Sequence, residues 1–296
     1  MSRTVEVIAP AKVNLHLTVG DVQPDGYHVV RTVLHALELA DIVRVSEASS
    51  NSFACSPDLG LPPEENLAFR AARAMEQRFA RRSGLAIHIE KRIPAGAGLG
   101  GASADAAAVV VALAALWGMP RDSAALGEVA RWLGADVPFF IEGGAALFGS
   151  HGDVLERRLT PLDLPVAVVK SDAPVPTGQA YAAFDLLRAI RPHSVVSPDA
   201  LIAALRAGDA DAVGARLHNS MTDSSATIVP AITEVLEFLS GSAGVLGFLM
   251  AGSGSACYAL CRTDTDARRC AAEAAGRGFW SAATRTRATG CEIREL

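Results

Sequence analysis

A run of glycines in the middle of the chain has the residue types that hold phosphate. Its sequence is Lys91-Arg92-Ile93-Pro94-Ala95-Gly96-Ala97-Gly98-Leu99-Gly100-Gly101-Ala102-Ser103-Ala104-Asp105. An alanine-rich segment follows and predicts a helix over about 103–117. Glycine permits positive φ and close approach to a ligand, while the first N–H groups of a helix lack internal partners. Together with the positive end of the helix dipole, these features favour a bound anion.

Two familiar phosphate-binding patterns and a turn without a ligand are the alternative interpretations of this run. The spacing Gly96-x-Gly98-x-x-Gly101 satisfies the dinucleotide-binding pattern, but that pattern requires a buried parallel strand before it. The segment 85–93 alternates like a half-exposed strand and ends at Pro94. A P-loop fails because no Gly-Lys-Ser or Gly-Lys-Thr follows the glycines. A turn without a ligand is the third alternative, and the unpaired N–H groups of the next helix favour phosphate over it.

Two charged residues in apolar settings could serve the transfer of a phosphoryl group to an alcohol. Such a transfer needs donors or cations around the phosphoryl oxygens and a carboxylate that takes the proton of the hydroxyl. Asp136 lies in the otherwise uncharged stretch 134–140, where it could also cap a helix. Lys12 lies between Ala11 and Val13 at the start of a strand, where lysine is commonly a solubilising charge. The residue types alone leave both roles open for each side chain.

The elements that must position these residues alternate between sheet and helix without a strict βαβ repeat. Apolar alternation predicts strands over 4–8, 13–19, 29–37, 42–45, 85–93, 145–149 and 154–159. Helical spacing predicts helices over 66–83, 103–117 and 123–133. A second set begins near residue 164, with strands over 165–170, 247–250, 258–262 and 281–286 and helices over 177–190, 198–207, 210–217, 230–239 and 265–277. This order predicts an α+β chain in two lobes with a seam near residue 160.

Composition and charge exclude several classes of protein. With 296 residues, of which 50% are hydrophobic, the chain can build two substantial cores. Its 27 Lys plus Arg against 32 Asp plus Glu give no positive field for nucleic acid. The five cysteines form no C-x-x-C pair, which predicts reduced and mostly buried thiols. No signal peptide or membrane-spanning run is found, so we expect a cytoplasmic protein with no membrane partner.

Five motifs in order resemble those of a known superfamily. The motifs near the start, in the middle and late in the chain are Pro10-Ala11-Lys12-Val13-Asn14-Leu15, the glycine run from Pro94 to Ala104, and Gly252-Ser253-Gly254-Ser255. These resemble the GHMP kinases, which include galactokinase and the homoserine, mevalonate and phosphomevalonate kinases. Two further motifs, Pro24-Asp25-Gly26-Tyr27-His28 and Leu133-Gly134-Ala135-Asp136-Val137-Pro138, resemble the subfamily that acts on 4-diphosphocytidyl-2-C-methyl-D-erythritol in the non-mevalonate isoprenoid pathway.

The resemblance implies a fold and an activity. It implies a ribosomal S5 domain 2-like, ATP-binding lobe over 1–160 and a ferredoxin-like lobe over 161–296, with the active site in the cleft between them. The implied reaction is ATP-dependent phosphorylation of the 2-hydroxyl of the cytidine-diphosphate-linked methylerythritol, with ATP as co-substrate and Mg²⁺. The alternatives are a homoserine- or mevalonate-type kinase and an inactive nucleotide-binding sensor. We expect a monomer or a weak homodimer and no nucleic-acid partner.

The resemblance also implies roles for single residues. Asp136 is the expected general base, and Lys12 is expected to pair with it, keep it ionised and lower the pKa of the acceptor hydroxyl. N–H groups of about 98–104 would hold the ATP phosphates. Ser103 is the candidate metal ligand. Asp105 could cap the helix or face Mg²⁺, and the sequence leaves that choice open.

The two ends of the substrates have their own candidate residues. Asn66 and Leu67 would line the adenine pocket, although Asn66 could equally be a helix N-cap. The residues expected to bind the acceptor are Asn14, Tyr27, His28, Asp136, Thr177, Tyr181, Gly252 and Ser253. Among these, Tyr27, His28 and Tyr181 would hold a cytosine, and Asn14 would meet acceptor hydroxyls or His28. The loop at Gly252 would bind the acceptor's diphosphate, with a ligand-free turn as the alternative.

Overall fold

The computed structural model describes residues 3–81, 84–190 and 195–294. Its strands in chain order are β1 (Thr4–Val22), β2 (His28–Ala48), β3 (Ser52–Ser56), β4 (Gly84–Glu90), β5 (Ala145–Gly149), β6 (Val154–Leu159), β7 (Pro165–Lys170), β8 (His218–Asn219), β9 (Val245–Met250), β10 (Cys257–Cys261), β11 (Trp280–Arg285) and β12 (Glu292–Arg294). Its helices are α1 (Leu67–Arg78), α2 (Gly101–Leu116), α3 (Ala124–Leu133), α4 (Val137–Glu142), α5 (Thr177–Ile190), α6 (Asp199–Ala207), α7 (Ala210–Gly214), α8 (Thr222–Ile228), α9 (Ala231–Ser240) and α10 (Asp264–Gly276). The α+β expectation is confirmed.

Two long bent strands begin the first sheet, where the sequence predicts four short ones. β1 and β2 pair antiparallel along most of their length. The register shifts between Pro10 and Lys12, between Asn14 and His16, and between Val19 and Val22. Irregularities of this kind bend a strand and re-aim its side chains without ending it, so the breaks in alternation mark bends rather than strand ends. The first shift places the bend at the start of the Lys12 motif.

The first sheet includes strands from both sides of residue 160. Its main path runs β12-β1-β2-β4-β3, with β5 and β6 branching from β2 and with β8 beside β1. The sequence predicts β11 as the last strand, but β12 follows it and pairs with β1, with Val7 opposite Ile293. The division into 1–160 and 161–296 stays a prediction, and sheet pairing crosses that boundary.

Helices α1 to α4 cover one face of this sheet around α2. Twelve of the sixteen residues of α2 are buried. Alanine and valine make up most of it, so neighbours approach from all sides. α2 begins at Gly101, two residues before its predicted start, and α1 ends at Arg78. The predicted end of α1, Ser83, lies outside the described residues.

The second sheet has the strand order β11-β7-β10-β9, with every pairing antiparallel. Counted along the chain, this is the order fourth, first, third, second of a ferredoxin-like βαββαβ unit. Its outer face packs on a core shared with α9 and α10. Its inner face meets β1, β2 and the glycine run in a third core that includes Leu15, Leu99, Val168 and Tyr258. That shared core fixes the two lobes against each other at the cleft.

Two further expectations concern the thiols and the membrane. All five cysteines are free, and four of them are buried, which agrees with the predicted reduced thiols. Across the ranges that the structure covers, no helix has both the length and the apolar character needed to cross a bilayer.

Candidate active site

Lys12 and Asp136 face each other in the cleft. The Lys12 side chain is buried and its Nζ lies 3.7 Å from Asp136 Oδ2. The Asp136 side chain is 34% exposed, so a ligand can reach its carboxylate. The backbone N–H of Lys12 donates to the Leu99 carbonyl at 2.9 Å, which ties β1 to the glycine run. An ammonium and an accessible carboxylate therefore meet beside the loop expected to hold phosphate.

Asp136 does not cap the helix that it precedes. It stands before α4 with φ −79° and ψ −17°, and its side chain accepts no capping hydrogen bond. An N-cap residue normally has extended backbone, which aims its side chain at the N–H groups of the first turn, whereas Asp136 is helical. The capping role that the sequence left open is therefore wrong. The carboxylate is left to face Lys12.

A chain of buried hydrogen bonds holds the Lys12 ammonium. Lys12 Nζ donates to Asn14 Oδ1 at 2.8 Å, and Asn14 Nδ2 donates to Thr32 Oγ1 at 2.8 Å. Thr32 Oγ1 in turn donates to the His16 carbonyl at 2.8 Å. These bonds fix the direction of the Asn14 amide, so its oxygen points to Lys12. The structure gives Asn14 these partners rather than His28.

Two glycines of the run lie where a side chain has no room. Gly100 has φ 76°, and a Cβ there would lie 2.5 Å from Phe140 Cζ and 3.1 Å from Lys12 Cγ. Gly98 also has φ 76°, and a Cβ there would lie 2.2 Å from the Ala251 carbonyl. Positive φ and close packing both require glycine at these positions. The loop is thus pressed between β1 of the first lobe and a loop of the second.

The late loop of small residues completes this convergence. Gly252 has φ 56°, and a Cβ there would lie 3.0 Å from the Gly98 carbonyl and 3.3 Å from Lys12 Nζ. Ser253 Oγ lies 3.1 Å from Thr177 Oγ1 at the start of α5. Three motifs from the beginning, middle and end of the chain therefore meet within contact distance.

Asn219 holds the late loop in place, and sequence reasoning missed it. Its Nδ2 donates to the carbonyls of Met250 and Gly252, each at 2.8 Å. Its Oδ1 accepts from the Met221 N–H at 2.8 Å. Ser225 Oγ adds a bond to the Ser253 carbonyl at 2.9 Å. Asn219 lies in the two-residue strand β8, which is too short for any periodic pattern to reveal.

Aromatic side chains form a second part of the cleft. The rings of His28 and Tyr181 lie 5.1 Å apart, tilted by 33°. Burial raises the pKa of Tyr181, and the nearby Asp136 charge adds to the rise. Tyr27 is 66% exposed and its ring packs against His151 at 5.5 Å instead. The structure thus joins His28 and Tyr181 near Asp136, and Tyr27 stands apart from that pair.

The predicted adenine residues lie at the start of α1. Asn66 Oδ1 accepts from the Ala68 N–H at 3.0 Å, so Asn66 is the N-cap of α1, one of its two expected roles. Leu67 is half-buried and packs against the core of the first lobe. Neither geometry conflicts with an adenine pocket, which stays a prediction.

A buried ion cluster joins the two ends of the glycine run. Lys91 Nζ contacts Asp41 Oδ2 and donates to Asp105 Oδ2 at 2.7 Å, with all three side chains buried. Asp41 Oδ1 also accepts the N–H groups of Arg92 and Ile93 at 2.5 and 2.8 Å. Burial raises the pKa of Asp105, with Lys91 opposing the rise and Asp41 adding to it. Asp105 therefore has neither expected role, because it pairs with Lys91 below the loop.

Two protein-family models match this chain, and named relatives are similar to it along most of its length. The GHMP kinases N terminal domain matches residues 66–144, and the GHMP kinases C terminal domain matches residues 201–278. A protein of Exiguobacterium sibiricum named 4-diphosphocytidyl-2-C-methyl-D-erythritol kinase is 35% identical over 90% of this chain and 92% of its own length. One of the same name from Mycolicibacterium gilvum is 38% identical over 93% of this chain and 87% of its own.

Solved structures show the same relationship. A crystal structure of 4-(cytidine 5'-diphospho)-2C-methyl-D-erythritol kinase superimposes with a TM-score of 0.79 at 35% identity, covering 97% of this chain and 99% of that one. A homoserine kinase from Cytophaga hutchinsonii has a TM-score of 0.75 at 20% identity, covering 98% and 97%, and shows the fold alone. The predicted two-lobed fold and the predicted resemblance are both confirmed. The chain is a GHMP kinase and belongs to the 4-diphosphocytidyl-2-C-methyl-D-erythritol kinase family.

Proposed function

We propose that this kinase transfers the γ-phosphoryl group of ATP to the 2-hydroxyl of 4-diphosphocytidyl-2-C-methyl-D-erythritol. One observation carries the proposal: the 3.7 Å approach of Lys12 to Asp136 between the glycine run and the late loop. Relatives at 35–38% identity named for this acceptor support the choice of substrate. In another part of the cleft the rings of His28 and Tyr181 lie close together and form an aromatic surface on which a base could stack.

Asp136 would act on the proton of the attacking hydroxyl, and Lys12 would act on the charge that develops on its oxygen. Asp136 takes the proton of the acceptor hydroxyl as that oxygen bonds to the γ-phosphorus. The bond between the γ-phosphorus and the bridging oxygen breaks, and ADP leaves with the electron pair. Lys12 lies beside the same carboxylate and offsets the negative charge that develops around the oxygens. Its hydrogen bond to Asn14 holds the ammonium in position before substrate arrives.

The glycine run would hold the phosphates of ATP. The N–H groups over 98–103 lead into the first turn of α2, where the unpaired donors and the helix dipole favour an anion. The N–H of Ala104, the last of the expected donors, is already taken, because it donates to the Gly100 carbonyl at 2.9 Å. Gly98 and Gly100 have positive φ, which lets the backbone curve toward a ligand without a side chain in the way. Asn66 and Leu67 at the start of α1 would lie beside the adenine.

Mg²⁺ fits the cleft as a companion of the nucleotide rather than as a resident ion. Within the described ranges no group of three His, Cys, Asp or Glu side chains could hold a metal. The acid nearest the start of α2, Asp105, is paired with Lys91, which leaves the Ser103 hydroxyl as an oxygen donor there. Mg²⁺ commonly takes one or two protein ligands together with substrate phosphates, so Ser103 would be such a ligand. When bound, the ion would neutralise charge on the phosphates.

The acceptor would lie between β2 of the first lobe and the second lobe. His28 and Tyr181 would hold the cytosine, with exposed Tyr27 able to close over it. Thr177 and Ser253 approach each other at 3.1 Å and would face the acceptor's diphosphate, together with the backbone of Gly252.

An ADP-release assay tests the substrate assignment. Purified enzyme with ATP and Mg²⁺ is offered 4-diphosphocytidyl-2-C-methyl-D-erythritol, homoserine and mevalonate in parallel, with an acceptor-free reaction as the control. We expect ADP release that depends on the first compound alone. A preference for homoserine or mevalonate would overturn the cytosine pocket, and ATP binding without turnover on any acceptor would point to a sensor.

A further inference from the structure

An aspartate on α5 contacts the histidine of the aromatic pair. His28 Nε2 lies 2.8 Å from Asp185 Oδ1, although the two residues are far apart in the chain. The His28 side chain is only 9% exposed, with Tyr181 against its face and Phe184 at 6.1 Å in an edge contact. Helix α5 therefore determines both the position of the His28 ring and the partner of its Nε2.

The Asp185 carboxylate sets which ring nitrogen carries the hydrogen. An ionised carboxylate only accepts hydrogen bonds, so Nε2 must be the donor in this contact. In the neutral ring, Nδ1 is then left with a lone pair and acts as an acceptor. Among the described residues Nδ1 has no hydrogen-bond partner, and it is not one of the buried atoms that lack a partner. Nδ1 is therefore accessible to a ligand.

An accessible acceptor on His28 distinguishes two pyrimidines. Cytosine presents an exocyclic amino group, which donates, where uracil presents a carbonyl oxygen, which accepts. The uracil carbonyl facing the Nδ1 lone pair would leave both acceptors without a donor. A site built to accept a hydrogen bond from the cytosine amino group therefore rejects uracil strongly. We propose that Asp185 is a positioning residue that sets the preference for cytosine over uracil by fixing the tautomer of His28. This inference rests on the proposed function, because it needs an acceptor that carries a pyrimidine.

A neighbouring ion pair supplies a matched control. Arg188, also on α5, donates to the Gly20 carbonyl at 3.0 Å and pairs with Asp21 at 2.5 Å. This contact joins α5 to β1 much as the Asp185 contact joins it to β2, but it does not involve His28. Replacing Asp21 therefore removes a comparable cross-link and leaves the tautomer unchanged.

The test compares two acceptors that differ only in the base. The ratio of kcat/KM for the cytidine-linked acceptor to that for its uridine-linked analogue is measured for the wild type, Asp185→Ala, Asp185→Asn and Asp21→Ala. We expect Asp185→Ala to lower the ratio about tenfold or more. Asp185→Asn should restore part of it, because the amide oxygen can still accept from Nε2–H, and Asp21→Ala should keep it.

A second readout does not depend on turnover. In ¹⁵N-detected spectra of the histidine rings, assigned with a His28→Gln variant, we expect the Nε2–H tautomer in the wild type and a mixture in Asp185→Ala. An unchanged ratio and an unchanged tautomer in Asp185→Ala would overturn the inference. If the wild type fails to phosphorylate the cytidine-linked acceptor, the proposed function fails instead, and the spectra still test whether Asp185 fixes the tautomer.

Discussion

Lys12 is the residue at which the separate parts of the cleft meet. Its backbone bonds to Leu99 of the glycine run, and its ammonium bonds to Asn14 and faces Asp136. The late loop reaches it as well, because a Cβ on Gly252 would lie 3.3 Å from Lys12 Nζ. A buried ammonium is costly unless it is paired, and here its partners are the atoms expected to act on the acceptor.

Replacing Lys12 with methionine tests the role of the charge at nearly constant shape. We expect Lys12→Met to lower kcat by about a hundredfold or more, since removal of one such electrostatic contact costs 10²–10³-fold. Steady-state kinetics with both substrates measure the loss, and a circular dichroism spectrum checks the fold. Lys170→Met, a buried lysine that bonds only to nearby carbonyls, is the matched control. A kcat within threefold of the wild type for Lys12→Met would contradict this role.

At the residue scale, the sequence predicts the residues that belong to motifs and misses those that support them. Asp136 stands out because a lone charge in an apolar stretch needs a partner, and the role of Lys12 follows from the resemblance of its motif. Asn219 and Asp185 belong to none of the motifs, and only the folded chain shows their contacts. Asp105 has neither of the two roles that the sequence left open, because its side chain pairs beneath the loop with Lys91.

At the element scale, the late loop depends on the side chain of Asn219. Asn219 donates two hydrogen bonds and accepts one in a buried setting. Asn219→Ala leaves those backbone groups unpaired, so we expect a loss of about 2–3 kcal/mol in the free energy of unfolding and a higher KM for the acceptor. Urea denaturation and kinetics measure both. Asn51→Ala, which removes one bond at an exposed position, should lose less than about 1 kcal/mol.

A buried histidine on β2, His35, holds the segment between β6 and β7 that connects the lobes. His35 Nδ1–H donates to the Ala36 carbonyl at 3.0 Å, and His35 Nε2 accepts from the Leu162 N–H at 3.2 Å. Burial lowers the pKa of His35 from 6.5 to about 4, against the opposing effect of these backbone bonds. The unfolded chain therefore binds a proton between pH 6.5 and about 4 that the folded chain does not.

That difference predicts a loss of stability in acid. As the pH falls from 6.5 to about 4, His35 should lower the free energy of unfolding by up to about 3 kcal/mol. Above pH 6.5 this loss is absent. Urea unfolding at pH 7 and at about pH 4 should therefore show a smaller decrease in the free energy of unfolding for His35→Gln than for the wild type. His88→Gln, at a half-exposed position, should fall as the wild type does. Equal falls for all three proteins would rule out this contribution.

Elements with a clear period were predictable, and those set by distant partners were not. β5, β6, β7 and α5 match their predicted bounds. β8 and β12 have two and three residues, so their existence depends on pairing with β1 rather than on their own sequence. The bends of β1 likewise come from register with β2.

At the scale of the whole molecule, the lobes share a core and a sheet. Leu15 and Leu99 pack with Val168 and Tyr258 across the cleft, and the Tyr258 hydroxyl donates to the Asn14 carbonyl at 2.8 Å. The strand pairs β1–β12 and β1–β8 cross residue 160 as well. The sequence predicts two lobes, but composition and periodicity carry no information about how much surface they share.

This sharing predicts that the first lobe is unstable alone. A fragment of residues 1–160 loses β8, β12 and the second-lobe side of the shared core, which exposes apolar surface and an open strand edge. We expect the fragment to aggregate or to lack a cooperative thermal transition, while the full chain unfolds in one transition. Calorimetry of both decides the point. A fragment with a sharp transition near that of the full chain would show independent folding.

The most direct test of the account is Asp136→Asn, measured for kcat and for the KM of ATP separately. The account predicts that kcat falls by about a hundredfold or more while the KM of ATP changes little, because the lost carboxylate takes the acceptor's proton and does not touch the nucleotide. Asp122→Asn, an exposed acid on the turn before α3, should behave as the wild type. Turnover of Asp136→Asn close to that of the wild type would contradict the central claim.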